Sequence, residues 1–338
     1  GDGVADGQAD LYVCVKRRDI PKEFLELLDV LPGYDPLRDA VAGDVFDAAI
    51  AEGIVQYFEH HLCHIEGDLY GKPLVLEPWQ KAIVVFTVAM LDSNGLRRFR
   101  NVFVYVPRKN GKTPLMAGLA NWVLDCDPER GQQNYIAASS IDQAGVFFRW
   151  MRESREMNPD LLARCVIKGS YRLIERAGRN NSFTKVLSSD RAGPHGKNIH
   201  LAVLEEVHAH ADEELAHGII TGHASRSQPL TLWISTAGHE GPSLINTMLA
   251  RARAVLDGGS KEARSFVPAV WSAAAGCDWR DIETWKSVNP NFGVSLKEAY
   301  VHESIAQAEV DASYREEMLR LHLNVTTATS HSLWDAES

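Results

Sequence analysis

A short run in the first half of the chain has the residue types and the spacing of a phosphate-binding loop. It reads Pro107-Arg-Lys-Asn-Gly-Lys-Thr113 and ends in Gly-Lys-Thr. In such loops the backbone N–H groups face the phosphates, the lysine reaches the β- and γ-phosphate oxygens, and the threonine hydroxyl ligates Mg²⁺. The run therefore predicts a site for ATP and Mg²⁺.

The loop departs from the usual G-x-x-x-x-G-K-[ST] pattern at its first position, where Val106 replaces the glycine. Its flanks nevertheless have the required character. An apolar, β-rich run at 102–106 precedes it, and a helical pattern with Pro114 near its first turn follows it. A strand, a loop and a helix in this order are the setting that a phosphate-binding loop requires.

A second pair of reactive residues follows another apolar run. Residues 198–204 predict a buried strand, and Glu205 and Glu206 come directly after it. One carboxylate in this position holds Mg²⁺, usually through water, and the next polarises the attacking water. We assign Glu205 to the metal side and Glu206 to catalysis, although an aspartate is commoner at the first position.

Two histidines lie just beyond these carboxylates and leave an alternative open. His208 and His210 are two residues apart and could form part of a metal site. Since the adjacent carboxylates already have a role in nucleotide chemistry, we favour structural or loop histidines.

Polar residues elsewhere fit the same nucleotide. Gln80 follows an apolar-Pro-Trp turn ahead of the loop, and its amide can both donate to and accept from adenine. Ser235 and Thr236 end a third predicted strand, where small hydroxyls can sense a γ-phosphate at the edge of a parallel sheet. The full set of predicted nucleotide-binding residues is Gln80, Arg108, Lys109, Asn110, Gly111, Lys112, Thr113, Ser235 and Thr236.

The composition is that of an ordinary globular protein. Of 338 residues, 45% are hydrophobic and 24% are charged, and the formal net charge of −10 argues against binding nucleic acid over the whole surface. No apolar run approaches the ~20 residues that span a bilayer. The five cysteines are scattered without a C-x-x-C pair, so a reducing cytoplasm is the plainest interpretation.

Strands alternate with helices over 100–240, which predicts an α/β fold with a mostly parallel central sheet flanked by helices. We expect an N-terminal helical region at 1–70, with 20–65 mostly helical, and a P-loop ATPase core at 71–242. A helical linker subdomain at 243–330 carries no obvious reactive group. Ser295 has the position of a helix N-cap in this subdomain.

Taken together, these motifs resemble the large terminase subunits of tailed double-stranded DNA phages. The resemblance covers about residues 45–335. The matching segments are Leu76-Glu-Pro-Trp-Gln80, Val106 to Thr113, Ser140-Ile-Asp-Gln-Ala144, Leu204-Glu-Glu-Val-His-Ala-His210, Trp233-Ile-Ser-Thr-Ala-Gly238, Trp285 with Asn289-Pro290, and Asn324 to Trp334.

The resemblance implies a P-loop NTPase fold of the additional-strand catalytic Glu type and an ATP-driven motor that moves viral double-stranded DNA into a procapsid. It also implies a homo-oligomeric ring, commonly a pentamer, docked on the portal protein in the host cell cytoplasm, with the small terminase subunit as a further partner. By position, Arg108 is the basic P-loop residue, Lys112 the phosphate lysine, Thr113 the Mg²⁺ ligand, and Arg191 the arginine that completes the neighbouring subunit's site.

Family members continue into an RNase H-like nuclease domain, whereas this chain stops at Ser338, where that domain would start. The resemblance thus implies that residues 331–338 begin the connection to it. We therefore expect ATPase activity but no DNA cleavage from these residues. Two alternatives remain open. One is another helicase-like, nucleic-acid-remodelling ATPase, which would need a second RecA-like domain. The other is a nucleotide-dependent docking switch, which would have no need of Glu206.

Overall fold

The structure is a computed structural model that describes residues 14–178, 181–187, 196–210 and 214–328. Arg191 and the expected connection at 331–338 lie outside these residues. Within the described ranges, no helix is both long enough and apolar enough to cross a membrane.

Ten strands in the described part of the chain form two sheets. A small antiparallel pair lies apart from the main sheet, and the other eight strands form one mixed sheet. The strands are β1 (Val45–Phe46), β2 (Met90–Leu91), β3 (Asn101–Tyr105), β4 (Gln133–Ala138), β5 (Cys165–Lys168), β6 (Leu173–Arg176), β7 (Phe183–Val186), β8 (Leu201–Glu205), β9 (Leu230–Ser235) and β10 (Phe266–Val270).

The main sheet has the order β10-β3-β9-β8-β4-β7-β6-β5. Every neighbouring pair from β10 to β7 is parallel, while β6 and β5 add antiparallel strands at one edge. Strand β9 lies between β3, which leads into the phosphate-binding loop, and β8, which ends in Glu205. The predicted mostly parallel sheet and its additional strand are therefore confirmed.

Eleven α-helices are present in the described ranges. The helices are α1 (Lys22–Leu25), α2 (Ala48–His61), α3 (Pro78–Ala89), α4 (Lys112–Cys126), α5 (Ile141–Glu156), α6 (Pro159–Leu162), α7 (Glu214–Gly222), α8 (Leu244–Leu256), α9 (Ile282–Val288), α10 (Glu298–Val310) and α11 (Ala312–His322).

Two expectations about the chain's outer parts differ from the structure. Residues 30–44 contain turns in place of the expected helix, and the short strand β1 follows them. Strand β10 lies beyond residue 242, where we expected the core to end, yet it pairs with β3 along its whole length. The main sheet thus draws on the region expected to be a helical subdomain, and the domain division stays a prediction.

Helix α4 carries the phosphate-binding loop into the core, and it is buried along most of its length. Its close approach to α2 requires a glycine. A Cβ atom built on Gly118 would lie 2.3 Å from Cε1 of Phe58 and 2.9 Å from Cδ1 of Leu62. The loop's helix is therefore fixed against α2 by a contact that leaves no room for a methyl group.

We predict opposite effects for two Gly→Ala substitutions. Gly118→Ala should lower the free energy of unfolding by about 1–3 kcal/mol, because the added methyl overpacks the α2–α4 contact. Gly53→Ala should raise it by about 0.5–1 kcal/mol, because Gly53 is exposed within α2 and a Cβ there would meet nothing within 4 Å. Urea unfolding of both variants tests this, and a stabilising Gly118→Ala would contradict the packing argument.

Candidate active site

The phosphate-binding loop connects β3 to α4, with Gly111 as the residue that precedes the helix. Gly111 has a φ of 76° and Lys109 has a φ of 68°, so both lie in the left-handed region. Glycine adopts this region without steric cost, which explains its place at 111. The turn directs the N-terminus of α4, with its unpaired N–H groups, towards the cavity beside the loop.

Lys112 is buried under this loop, and its ammonium group is held by the loop's own backbone. Nζ donates to the carbonyl oxygens of Val106, at 2.6 Å, and Pro107, at 2.9 Å. Burial lowers the pKa of Lys112 to about 8, although the nearby Glu206 and Glu205 carboxylates act in the opposite direction. The lysine is thus already positioned at the centre of the loop, as phosphate binding requires.

Thr113 and Glu205 meet across the sheet. The Thr113 hydroxyl donates to Glu205 Oε1 at 2.7 Å, and Glu205 Oε2 is buried without a hydrogen-bond partner. Burial raises the pKa of Glu205 to about 7. A hydroxyl beside a buried carboxylate with a free oxygen is a donor set that suits Mg²⁺, so these residues fit the predicted metal site.

Glu206 lies just beyond the end of β8 in a strained backbone conformation. Its φ of 53° and ψ of 52° are left-handed, which costs a non-glycine residue about 1–3 kcal/mol. The Glu206 side chain lines the same cavity as Thr113 and Glu205, and its Oε2 lies 3.2 Å from Nδ1 of His208. The turn separates the two adjacent carboxylates into a buried one and a partly exposed one.

The two histidines after the carboxylates make different contacts. His208 contacts Glu206 and the end of β9, whereas His210 Nε2 lies 3.0 Å from the carbonyl oxygen of Glu205. Among the described residues, no group of three or more His, Cys, Asp or Glu side chains could hold a metal ion.

Ser235 and Thr236 are fully buried at the end of β9. The Ser235 hydroxyl accepts from the backbone N–H of His208 at 3.0 Å and donates to the carbonyl of Thr236 at 2.8 Å. The predicted hydroxyl pair therefore contacts the turn that carries Glu206. Its sensing role stays a prediction.

Gln80 lies beside the loop in the first turn of α3. Its amide oxygen accepts from the backbone N–H of Glu77 at 2.9 Å, which closes the start of the helix. Its amide nitrogen would lie 3.5 Å from a Cβ built on Gly111. The predicted contact with adenine can use this nitrogen, whereas the oxygen already serves the helix.

A cavity of about 500 Å³ connects most of these groups. This volume is within the range of small-ligand sites. One wall is the phosphate-binding loop, and another is the pair Glu205 and Glu206. Helix α5 contributes Gln143, Val146 and Trp150. These α5 residues were not predicted as site residues, although the first belongs to a segment quoted for the family resemblance.

Positive charge is concentrated at the loop. His322 is buried near it, and burial together with the charges of Arg108, Lys109 and Lys112 lowers the pKa of His322 to about 4. Burial and the charge of Arg108 also lower the pKa of Arg320 on α11. Such a cluster of cations in a partly desolvated position favours binding of a polyanion such as a triphosphate.

The C-terminal part of the chain supports the loop through Asn110, which is fully buried. Asn110 Nδ2 donates to the carbonyl of Pro107 at 3.1 Å and to Asn289 Oδ1 at 2.7 Å. Asn110 Oδ1 accepts from the backbone N–H of Asn291 at 3.0 Å. The conformation of the loop is thus tied to a segment far away in the sequence.

Further contacts extend this support. The Trp79 indole N–H donates to Asn291 Oδ1 at 2.6 Å, and the Ser295 hydroxyl donates to the carbonyl of Lys109 at 2.5 Å. Ser295 does not cap α10, which begins at Glu298, so that expectation is wrong. The region expected to lack reactive groups therefore positions the loop. The Asn-Pro-Asn sequence beginning at Asn289 was its only sequence signal.

Fold and site together define a P-loop ATPase domain of the additional-strand type. The family model for the ATPase domain of the terminase large subunit matches residues 78–253, just over half of the chain. The chain therefore belongs to this family.

The chain is also similar to individual proteins and to a solved structure. The chain is 26% identical over 295 residues to the large terminase subunit of Enterobacteria phage HK97, which covers 84% of the chain and 56% of that protein. It is 31% identical over 134 residues to protein YmfN of Escherichia coli K12, covering 38% and 28% of the two chains. The crystal structure of the HK97 large terminase superimposes with a TM-score of 0.71 at 24% identity, over 84% of this chain and 58% of that one. The chain thus spans little more than half the length of its phage relative.

We predict that Asn110→Ala weakens nucleotide binding and stability together. The substitution leaves the buried Asn289 Oδ1 and the Asn291 N–H without this partner, which costs about 1–3 kcal/mol of unfolding free energy. A loop that must be ordered on binding should also raise the Kd for ATP about tenfold. Thermal unfolding and fluorescent-nucleotide titration measure both effects. Asn94→Ala, in an exposed turn, is the control, and an unchanged Kd for Asn110→Ala would contradict the supporting role.

Proposed function

We propose that the chain is the ATPase portion of a motor subunit that translocates viral double-stranded DNA into a procapsid. The observation that carries this proposal is the convergence of Lys112, Thr113, Glu205 and Glu206 on one cavity, in a chain of the terminase family. The similarity to a phage large terminase over most of this chain supports the same function.

The residues divide the chemistry of ATP hydrolysis between them. Lys112 and the N-terminus of α4 bind the β- and γ-phosphates, and Arg108 adds a cation at the rim of the same loop. Thr113 and Glu205 hold Mg²⁺, which neutralises charge on the phosphate oxygens when bound. Glu206 orients and polarises the attacking water. Gln80 contacts the base, and Ser235 and Thr236 report the hydrolysis step to the rest of the domain.

The motor function requires partners that this chain must meet in the host cytoplasm. We propose a homo-oligomeric ring, docked on the portal protein and supplied with DNA by the small terminase subunit. Arg191 enters the neighbouring subunit's site in this ring, where a cation stabilises the charge that develops on the transferred phosphoryl group. A ring-completed site also explains why isolated subunits should be weak ATPases.

The central test is ATP hydrolysis measured with and without portal-bearing proheads and linear double-stranded DNA. We expect full turnover only when both are present. Lys112→Ala should abolish nucleotide binding or turnover. Glu206→Gln should retain ATP but lower kcat by about 10²–10⁴, the usual contribution of a positioned general base.

Two results would overturn parts of this proposal. Normal turnover in Glu206→Gln would remove the catalytic assignment of Glu206. High activity of the wild-type chain that responds to single-stranded nucleic acid but not to proheads would favour a general nucleic-acid-remodelling ATPase.

The trans role of Arg191 is tested by mixing subunits. Arg191→Ala should abolish hydrolysis in the assembled ring without weakening ATP binding. A mixture of Arg191→Ala and Lys112→Ala subunits should recover part of the activity, because some interfaces then combine an intact loop with an intact arginine. Absence of recovery in mixed rings, verified by size and composition, would argue against a trans arginine.

A further inference from the structure

His208 occupies the space between the catalytic turn and the end of β9. It lies in a short 3₁₀ turn, Val207–Ala209, that directly follows Glu206. Its ring nitrogen Nδ1 is 3.2 Å from Glu206 Oε2 and 3.1 Å from the Ser235 hydroxyl oxygen. A single ring atom therefore contacts both the carboxylate that faces the cavity and the strand end that we expect to sense hydrolysis.

The neighbouring hydrogen bonds determine where the imidazole carries its proton. The Ser235 hydroxyl hydrogen is donated to the carbonyl of Thr236, so towards His208 the oxygen can only accept. The ionised Glu206 carboxylate can also only accept. Both contacts are satisfied when Nδ1 carries the hydrogen, so we assign the proton to Nδ1, between the two oxygens and 3.4 Å from the Thr236 hydroxyl oxygen.

The backbone of the same turn needs external support. Glu206 is held in the left-handed region, a conformation that persists only where surrounding contacts enforce it. The His208 backbone N–H donates to the Ser235 hydroxyl at 3.0 Å, so the turn is fastened to β9 through backbone and side chain alike. A shift of the end of β9 would be transmitted to the Glu206 carboxylate through His208.

We propose that His208 is a positioning residue that aims the Glu206 carboxylate at the attacking water and makes it move together with Ser235. This inference deepens the proposed function and rests on it, because aiming Glu206 matters only if that carboxylate acts in hydrolysis. The important feature is an N–H donor at the position of Nδ1, not an imidazole ring as such.

Two amide substitutions separate this role from a general need for histidine. The amide nitrogen of His208→Asn can occupy the place of Nδ1, whereas the longer side chain of His208→Gln places its amide nearer to Nε2. In the ATPase assay with proheads and DNA, we expect His208→Asn to keep kcat within about fivefold of the wild type. His208→Gln and His208→Ala should lower kcat by about 10–100-fold with little change in KM, since misplacement of a reacting group by about 1 Å can cost 10²-fold.

Controls test the positioning role of His208 separately from the proposed function on which it rests. His302→Gln, on the exposed face of α10, should leave the assay unchanged. Glu206→Gln tests the proposed function itself, and its loss of turnover is needed before the His208 variants are interpreted as positioning effects. Equal binding of a non-hydrolysable ATP analogue by all His208 variants shows that the loop is intact.

Three outcomes would overturn the inference. Turnover in His208→Gln equal to that of His208→Asn, whether high or low, would show that the position of the donor is unimportant. A raised KM with unchanged kcat in His208→Gln would move the effect to substrate binding. If Glu206→Gln retained full turnover, the proposed catalytic role would fail, and the positioning role would fail with it.

Discussion

The hydrogen bond between Thr113 and Glu205 is the interaction on which the rest of the site depends. It joins the first turn of α4 to the end of β8, although β9 lies between β8 and the strand that leads into α4. Parallel pairing brings the ends of β3, β9 and β8 to one edge of the sheet. A side chain that follows β3 can therefore contact one at the end of β8, past the end of β9 between them. Without this contact, the phosphate-binding loop and the strand that ends in Glu205 would belong to one sheet but would not form a common site.

Insertion of β9 has a second consequence for the site. Because β9 lies beneath the contact, its terminal hydroxyl at Ser235 reaches the turn that carries Glu206. Glu205 and Glu206 are adjacent in sequence, yet the left-handed turn gives them different surroundings, one buried and the other open to the cavity. Different surroundings allow neighbouring carboxylates to have different tasks.

The parts of the site that could be predicted from the sequence are those in which a local pattern determines position. Apolar runs followed by Gly-Lys-Thr or by paired glutamates place Lys112 in the loop after one strand and Glu206 directly after another, and the ends of parallel strands meet at one edge. Contacts over long separations have no such signal. Asn110 and Asn289 are 179 positions apart, and neither segment has a sequence pattern that predicts contact with the other. In the sequence, His208 has the pattern of an ordinary loop histidine, because its contact with Ser235 depends on the fold. Strand β10 was expected in a separate subdomain, because the order of strands along the chain does not determine their order in the sheet.

The supporting contacts of Asn110 also bear on how this domain can be divided. The family model for the ATPase domain matches as far as residue 253, but the edge strand next to β3 and the asparagines that hold the loop come later in the chain. The segment that this model covers is therefore smaller than the part of the chain that builds and supports the site. An exchange of ATPase modules between related phages would have to carry the stretch up to α11 as one piece, since a junction near 253 would separate the loop from the residues that shape it.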